Sequence, residues 1–137
     1  MEASVPIEVI DGVAEQLTAQ DGRFDAAVVT LVLCSVADPA PALRELHRVL
    51  RPGGQLRFLE HGRADRPVAV AIQRAIDATF WSALNGGCRT SRDPVADIRA
   101  AGFRIEHTER LGFADTSIPF PASPHTCGTA VRAQARS

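Results

Sequence analysis

The sequence lacks any long hydrophobic run, and this absence excludes a membrane-spanning helix. No apolar stretch among its 137 residues reaches the roughly 18 residues that such a helix needs. The first residues, MEASVPIEVIDG, carry acidic side chains where a secretory signal would carry basic ones and a long apolar region. We therefore expect a protein with no membrane span, located in the cytoplasm.

The sequence also lacks lysine, blocks of like charge and close cysteine pairs. Its 15 basic residues, all arginine, and its 16 acidic residues are scattered and give a net charge of −1, so nucleic acid is not a predicted partner. The cysteines Cys34, Cys88 and Cys127 form no CxxC pair, which indicates reduced thiols. Three of the four histidines show no mutual spacing typical of a metal site, so no metal is predicted.

The composition present, 45% hydrophobic and 23% charged, is that of one globular domain over residues 1–137. A β-branched run at 5–10 predicts a short strand, and the apolar run at 25–33 predicts a parallel strand buried on both faces. Asp38-Pro39 opens a helix that ends at Pro52-Gly53-Gly54, and residues 55–61 form the next strand. Residues 25–61 therefore make one β-α-β unit.

The second half of the sequence predicts two helices and two more strands. Apolar residues recur every fourth position in a helix over 67–84, which predicts a core-facing stripe of Val68, Ile72, Ile76, Phe80 and Leu84. A helix follows from Ser91 to Ala101, then a strand at 103–111, a proline-rich loop and a last strand at 126–133. The predicted fold class is α/β.

An ordered set of motifs links the chain to a known family. FD at 24–25 opens the buried strand, Asp38 starts a helix rich in Leu and Arg, and LRPGG at 50–54 precedes the next strand. This set resembles the second half of class I S-adenosylmethionine-dependent methyltransferases, in the branch that includes the ubiquinone and menaquinone C-methyltransferases. The downstream segments GCRTSRD at 87–93 and AGF at 101–103 are similar to a sub-branch that acts on small thiol or lipid-like substrates.

The resemblance implies a Rossmann-like sheet that is mostly parallel with an antiparallel last strand, and that lacks the first βαβ unit. The family strand order is 3-2-1-4-5-7-6, and its first unit carries a G-x-G-x-G turn and an acid for the ribose hydroxyls. Only Gly12 and Gly22 precede residue 53 here, so that turn is missing. The strand at 25–33 should then have an open edge, which predicts a homo-oligomer or a partner chain that covers it, unless the strand at 5–10 pairs with it.

The resemblance also implies the residues that contact the cofactor, S-adenosylmethionine. Gly12, Val13 and Ala14 correspond to the adenine pocket, with an ordinary turn as the alternative. Thr30 and Leu31 lie at the carboxyl end of the buried strand, where open α/β sheets bind ligands, and core packing is their alternative role. Ser35 is a polar candidate beside the cofactor that is otherwise simply packed.

His61 is the candidate catalytic base. Glu60 and His61 close the next strand on the same rim, where a base could take the proton released by a methylated acceptor. A hydrogen-bonded structural histidine is the alternative. The predicted function is S-adenosylmethionine-dependent methyl transfer to a small-molecule acceptor, and the alternative is a non-catalytic remnant or interaction module that self-associates.

Overall fold

The computed structural model describes residues 4–134, which form one mixed sheet with helices. In chain order the elements are β1 (Phe24–Thr30), α1 (Pro39–Val49), β2 (Leu50–His61), α2 (Pro67–Ile76), a π turn (Asp77–Trp81), α3 (Ser82–Leu84), α4 (Pro94–Ala100), β3 (Phe103–Leu111), α5 (Phe113–Thr116) and β4 (His125–Arg132). None of the helices within residues 4–134 is long and apolar enough to cross a bilayer.

The sheet has the strand order β1-β2-β4-β3. β1 pairs in parallel with β2, and β4 is antiparallel to both of its neighbours, β2 and β3. Three strands therefore run in one direction and the last runs against them, as predicted. The order corresponds to strands 4-5-7-6 of the family, so the predicted fold class is confirmed.

The core lies between the sheet and helices α1 and α4. Leu43 of α1 and Ile98 of α4 are fully buried with Leu50, Leu56 and Phe103 of the strands. Helix α1 begins where the sequence predicts, because the Asp38 carboxylate accepts a hydrogen bond from the amide of Ala40 and a proline follows the cap. This β1-α1-β2 unit fixes the carboxyl ends of β1 and β2 side by side.

The strand predicted at 5–10 is wrong. These residues have no regular secondary structure, and Val5, Ile7, Val9 and Ile10 are exposed. In the family order the corresponding strand pairs with a strand that this sequence does not contain. Without a ladder partner, its β-branched side chains cannot hold an extended segment in a sheet.

The core-facing stripe predicted for the helix at 67–84 is also wrong. Val68, Ile72, Phe80 and Leu84 are exposed, and the buried positions of α2 are Val70 and Gln73. An α-helix turns by 100° per residue, so a strict four-residue period drifts by 40° at each step and does not mark one face. The buried Gln73 instead fixes the helix by bonding the amide of Ala64 and the carbonyls of Gly62 and Pro121.

Several predicted boundaries also shift, among them the start of β2, which is Leu50 rather than residue 55. β1 ends at Thr30 rather than residue 33, because Leu31 adopts a left-handed backbone with φ of 55°. α4 begins at Pro94 with Asp93 as its cap, whereas Ser91 is bonded elsewhere. Within residues 4–134, β1 pairs only with β2, so the predicted open edge is present. Val28 on this strand is 72% exposed.

Candidate functional site

The rim at the carboxyl ends of β1 and β2 is organised by one buried carboxylate. Glu60, fully buried near the end of β2, accepts hydrogen bonds from the amides of Val32, Leu33 and Cys34 at 3.1–3.2 Å. A carboxylate that binds three backbone N–H groups both satisfies its own charge and fixes the turn that carries them. The turn after β1 is therefore held to the last residues of β2.

A guanidinium closes the other side of that turn. Arg92 donates to the carbonyls of Leu33 and Val36 at 2.6 Å each, and to the carbonyl of Ala37 at 2.8 Å. Donors and acceptors of residues 32–37 are thus bound by side chains from β2 and from the segment before α4. The turn is built as a rigid part of the rim rather than a free loop.

The segment that carries Cys88 is fixed against the same turn. The amide of Arg89 donates to the carbonyl of Cys34 at 2.8 Å, and Ser82 Oγ donates to the carbonyl of Cys88 at 2.8 Å. Gly87 has a φ of +87°, and a Cβ there would lie 2.9 Å from the carbonyl oxygen of Ser35. Only glycine combines that backbone with so close an approach.

Asp77 anchors the continuation of this segment. Its two carboxylate oxygens accept hydrogen bonds from the amides and hydroxyls of Thr90 and Ser91 at 2.7–3.0 Å. Asp77 lies in the π turn, so the irregular turn aims a carboxylate at residues 90–91. The segment 87–91 is therefore fixed at both ends.

These anchors bring Cys34, His61 and Cys88 together. The two Sγ atoms are 3.6 Å apart, and one ligand atom from each of the three residues lies within 4.8 Å of the other two. All three residues are buried. The His61 ring lies 4.5 Å from the His125 ring and 6.5 Å edge-on from the Trp81 ring, centroid to centroid.

Contacts within the cluster shift the pKa values of its two thiols in opposite directions. The hydrogen-bonding contact with the Cys34 sulfur lowers the pKa of Cys88, against the effect of burial and with help from His61 and Trp81. The same sulfur pair, together with burial, raises the pKa of Cys34. Burial is the largest single effect on the pKa of His61 and would lower it, but Cys88, the backbone at Ala122 and Glu60 together shift it upward. The pKa of Cys88 is thus coupled to both Cys34 and His61.

The structure places part of the predicted site on this rim. Thr30 ends β1, Leu31 follows it with 41% exposure, and Ser35 Oγ donates to the Leu31 carbonyl at 3.1 Å. With His61 at the end of the neighbouring β2, these residues share the carboxyl edge of the parallel pair. Their roles stay predictions.

Gly12, Val13 and Ala14 lie in the irregular segment before β1. Gly12 and Val13 are exposed, Ala14 packs partly against the core, and the Val13 carbonyl accepts from the Gln16 amide in a tight turn. This is the geometry of the ordinary turn named as the alternative. The adenine role of these residues stays a prediction.

The pairing of Cys34 with Cys88 is the feature that sequence reasoning missed. The members of the cluster come from three separate segments: the turn after β1 for Cys34, the end of β2 for His61, and the Gly-Gly-Cys segment after α3 for Cys88. Their spacing along the chain therefore gives no signal. The usable signal was indirect: both parallel strands end at the same edge, and the polar residues after each must meet there. Asp77 and Arg92 were missed because they bind the backbone only once the chain is folded.

Comparisons with known proteins find methyltransferases. Residues 1–58 match the family model described as a methyltransferase domain. The thiol S-methyltransferase TMT1B of Rattus norvegicus is 38% identical over 116 residues, covering 82% of this chain and 45% of that protein. The ubiquinone/menaquinone biosynthesis C-methyltransferase UbiE of Hahella chejuensis is 40% identical over 78 residues, covering 57% of this chain and 30% of that protein.

A solved structure shows the same fold. An S-adenosylmethionine-dependent methyltransferase from Methanosarcina mazei superposes with a TM-score of 0.69 at 19% identity, over 90% of this chain and 66% of that one. At that identity the likeness speaks for the fold alone. The chain spans about half the length of the thiol S-methyltransferase that it matches.

Proposed function

We propose that this chain, which belongs to the class I S-adenosylmethionine-dependent methyltransferases, takes part in methyl transfer to a small thiol. The observation that carries the proposal is the Cys34, His61 and Cys88 cluster at the carboxyl edge of β1 and β2. That edge is where the family fold binds its ligands. The similarity to a thiol S-methyltransferase over 82% of this chain supports a thiol as the acceptor.

The residues present fit S-adenosylmethionine only in part. Thr30, Leu31 and Ser35 offer a rim that a ligand can reach, since Thr30 and Leu31 are exposed. The G-x-G-x-G turn that would approach the other side of the cofactor is not in the sequence. When bound, the cofactor supplies a methyl group on a positively charged sulfur, already a good electrophile.

This chain would contribute position and a polar pocket to the reaction. Glu60 and Arg92 hold the turn that carries Leu31 and Ser35, so the groups facing the ligands do not have to be ordered during the reaction. The acceptor's sulfur must lose its proton before or during attack on the methyl carbon. The predicted base, His61, lies on the correct edge but is only 8% exposed between His125 and Trp81.

The proposal is tested by supplying the missing turn. A chimera would join the N-terminal half of the rat thiol S-methyltransferase to this chain at residue 24. We expect transfer of labelled methyl from S-adenosylmethionine to 2-mercaptoethanol and no transfer to ethylene glycol, the matched alcohol. Binding of the cofactor without thiol methylation would contradict the proposal. In this chimera His61→Ala should lower kcat and leave cofactor affinity nearly unchanged, because His61 lies toward the acceptor.

The alternative, a non-catalytic module that self-associates, is supported by the open edge of β1. Val28 and Phe24 expose 72% and 43% of their surface along a strand that pairs on one side only within residues 4–134. Such an edge is a template for another strand. A homo-oligomer or partner chain, like a cytoplasmic location, stays a prediction.

A further inference from the structure

The buried cluster has the composition and the spacing of a metal site. Two thiols and one imidazole are the ligand types that Zn²⁺ takes in proteins. The Zn–S distance of about 2.3 Å places two sulfurs of a tetrahedral site about 3.8 Å apart. The Sγ atoms of Cys34 and Cys88 are 3.6 Å apart, so the pair needs little movement to bind such an ion. A disulfide would instead require a separation of about 2.05 Å.

A buried nitrogen without a partner gives a second, independent observation. Nδ1 of His61 is buried and has no hydrogen-bond partner among residues 4–134. His61 itself is 8% exposed, so more than nine tenths of it is removed from water. A buried polar atom without a hydrogen-bond partner is destabilising, and a bond to a metal ion is one way to satisfy it.

The ligands are held by an outer set of contacts. The Cys34 amide is bound by Glu60, the Cys88 carbonyl by Ser82, and the Cys34 carbonyl by the amide of Arg89. Outer contacts of this kind orient the ligands of a metal and reduce the reorganisation that binding requires. The cluster is thus fixed before any ion arrives.

We propose that Cys34, His61 and Cys88 bind one Zn²⁺ ion and leave its fourth position open. Three protein ligands with one open position are the pattern of zinc sites that take a substrate rather than of closed structural sites. On the premise of the proposed function, the fourth position takes the acceptor as a thiolate. The acceptor's S–H proton and the protons of the ligand thiols pass to solvent, and no oxidant or reductant is needed. His61 would then be a ligand instead of the base predicted from the sequence.

The test is titration of the whole reduced chain with Co²⁺, followed by displacement with Zn²⁺. We expect one equivalent to bind, with the visible bands of tetrahedral Co²⁺ and the near-ultraviolet band of cobalt bound to thiolate. Cys34→Ser and Cys88→Ser should each weaken binding at least about 100-fold, since loss of even an outer contact costs about 10- to 100-fold. Cys127→Ser is the matched control, because Cys127 is the remaining cysteine and is only half-buried on β4.

A second measurement separates loss of the site from loss of the fold. Zn²⁺ should raise the Tm of the original chain and of Cys127→Ser, and should leave the Tm of Cys34→Ser unchanged while its circular dichroism stays that of a folded protein. A cobalt complex without the thiolate band, or one weakened equally by Cys127→Ser, would overturn the proposal.

The open position is tested on the cobalt-loaded chain. Addition of 2-mercaptoethanol should shift the visible bands, and ethylene glycol should not. Metal binding without this shift would contradict the open fourth position but would leave the proposed metal site intact. Failure to bind metal would overturn the inference even if the chimera methylates thiols, so the two proposals fail separately.

Discussion

At the scale of residues, the rim depends on charged side chains that bind backbone. Glu60, Asp77 and Arg92 each hold two or more main-chain groups of a segment distant in sequence. These contacts satisfy backbone donors and acceptors that would otherwise be buried without a partner. The local structure therefore depends on each of these three side chains.

Glu60→Gln is expected to destabilise the fold. The carboxylate accepts from three amides, and the glutamine side chain presents an NH₂ group to donors that need an acceptor. We expect the free energy of unfolding in urea to fall by about 2 kcal/mol. Glu106→Gln, on the exposed face of β3, should change it by less than about 0.5 kcal/mol. Equal changes in the free energy of unfolding for the two substitutions would contradict this role of the three hydrogen bonds.

At this scale the sequence predicted the cap of α1 but not the cluster. Asp38 was predicted to cap α1 because a cap involves neighbouring residues only. Cys34 and Cys88 meet because the crossover and the π turn return the chain to one edge, which no local pattern encodes. Gln73 is buried by its bonds to loop backbone, which a reading based on apolar periodicity cannot detect.

At the scale of elements, the segment before β1 is fastened to the end of α1. Glu45 accepts from the Leu17 amide at 2.7 Å and from Arg48 at 2.8 Å. Arg48 in turn donates to the carbonyls of Leu17 and Ala19 and to Asp21. This network holds residues 17–22 in place although they form neither helix nor strand.

The network should make stability depend on pH. The Arg48 hydrogen bond, with the Leu17 amide, lowers the pKa of Glu45 from 4.5 to about 2. A group whose pKa is lower in the fold stabilises it above the unfolded pKa, and that contribution is lost as pH falls through about 2. The free energy of unfolding of Glu45→Gln should therefore fall less between pH 4.5 and 2 than that of the original chain. Glu109→Gln, exposed on β3, serves as control and should keep the original slope.

The open edge of β1 should drive association. Val28 is 72% exposed on a strand whose outer ladder has no partner within residues 4–134. Val28→Lys places a charge on that edge, and we expect the mass measured by light scattering to fall toward that of one chain. Val68→Lys, equally exposed at 73% but on α2, should leave the mass unchanged. A monodisperse monomer of the original chain at high concentration would contradict the prediction.

Elements were predictable where their partners lie within the chain. The β1-α1-β2 unit and β3 follow the predicted order because each strand has a neighbour supplied by residues 24–132. The segment at 5–10 carries the same β-branched pattern and remains irregular because its neighbour is not present. A segment with strand propensity thus forms a strand only where a neighbouring strand is present to pair with it.

At the scale of the whole molecule, the described sheet corresponds to part of the Rossmann-like methyltransferase sheet. In its order β1-β2-β4-β3, β1 corresponds to the family strand that lies beside the first strand of the complete sheet. Thr30 ends this edge strand and Leu31 follows it, and both residues are exposed.

We predict that this chain alone binds S-adenosylmethionine with a Kd no better than about 1 mM, or about 4 kcal/mol. The sequence contains neither the glycine turn that approaches the methionine moiety nor the acid that binds the ribose, and Gly12 and Val13 are exposed. Calorimetric titration measures this affinity directly, and the chimera that restores the turn is the positive control. Micromolar binding by the chain alone would mean that Thr30, Leu31 and Ser35 form a far larger share of the pocket than the missing segments imply.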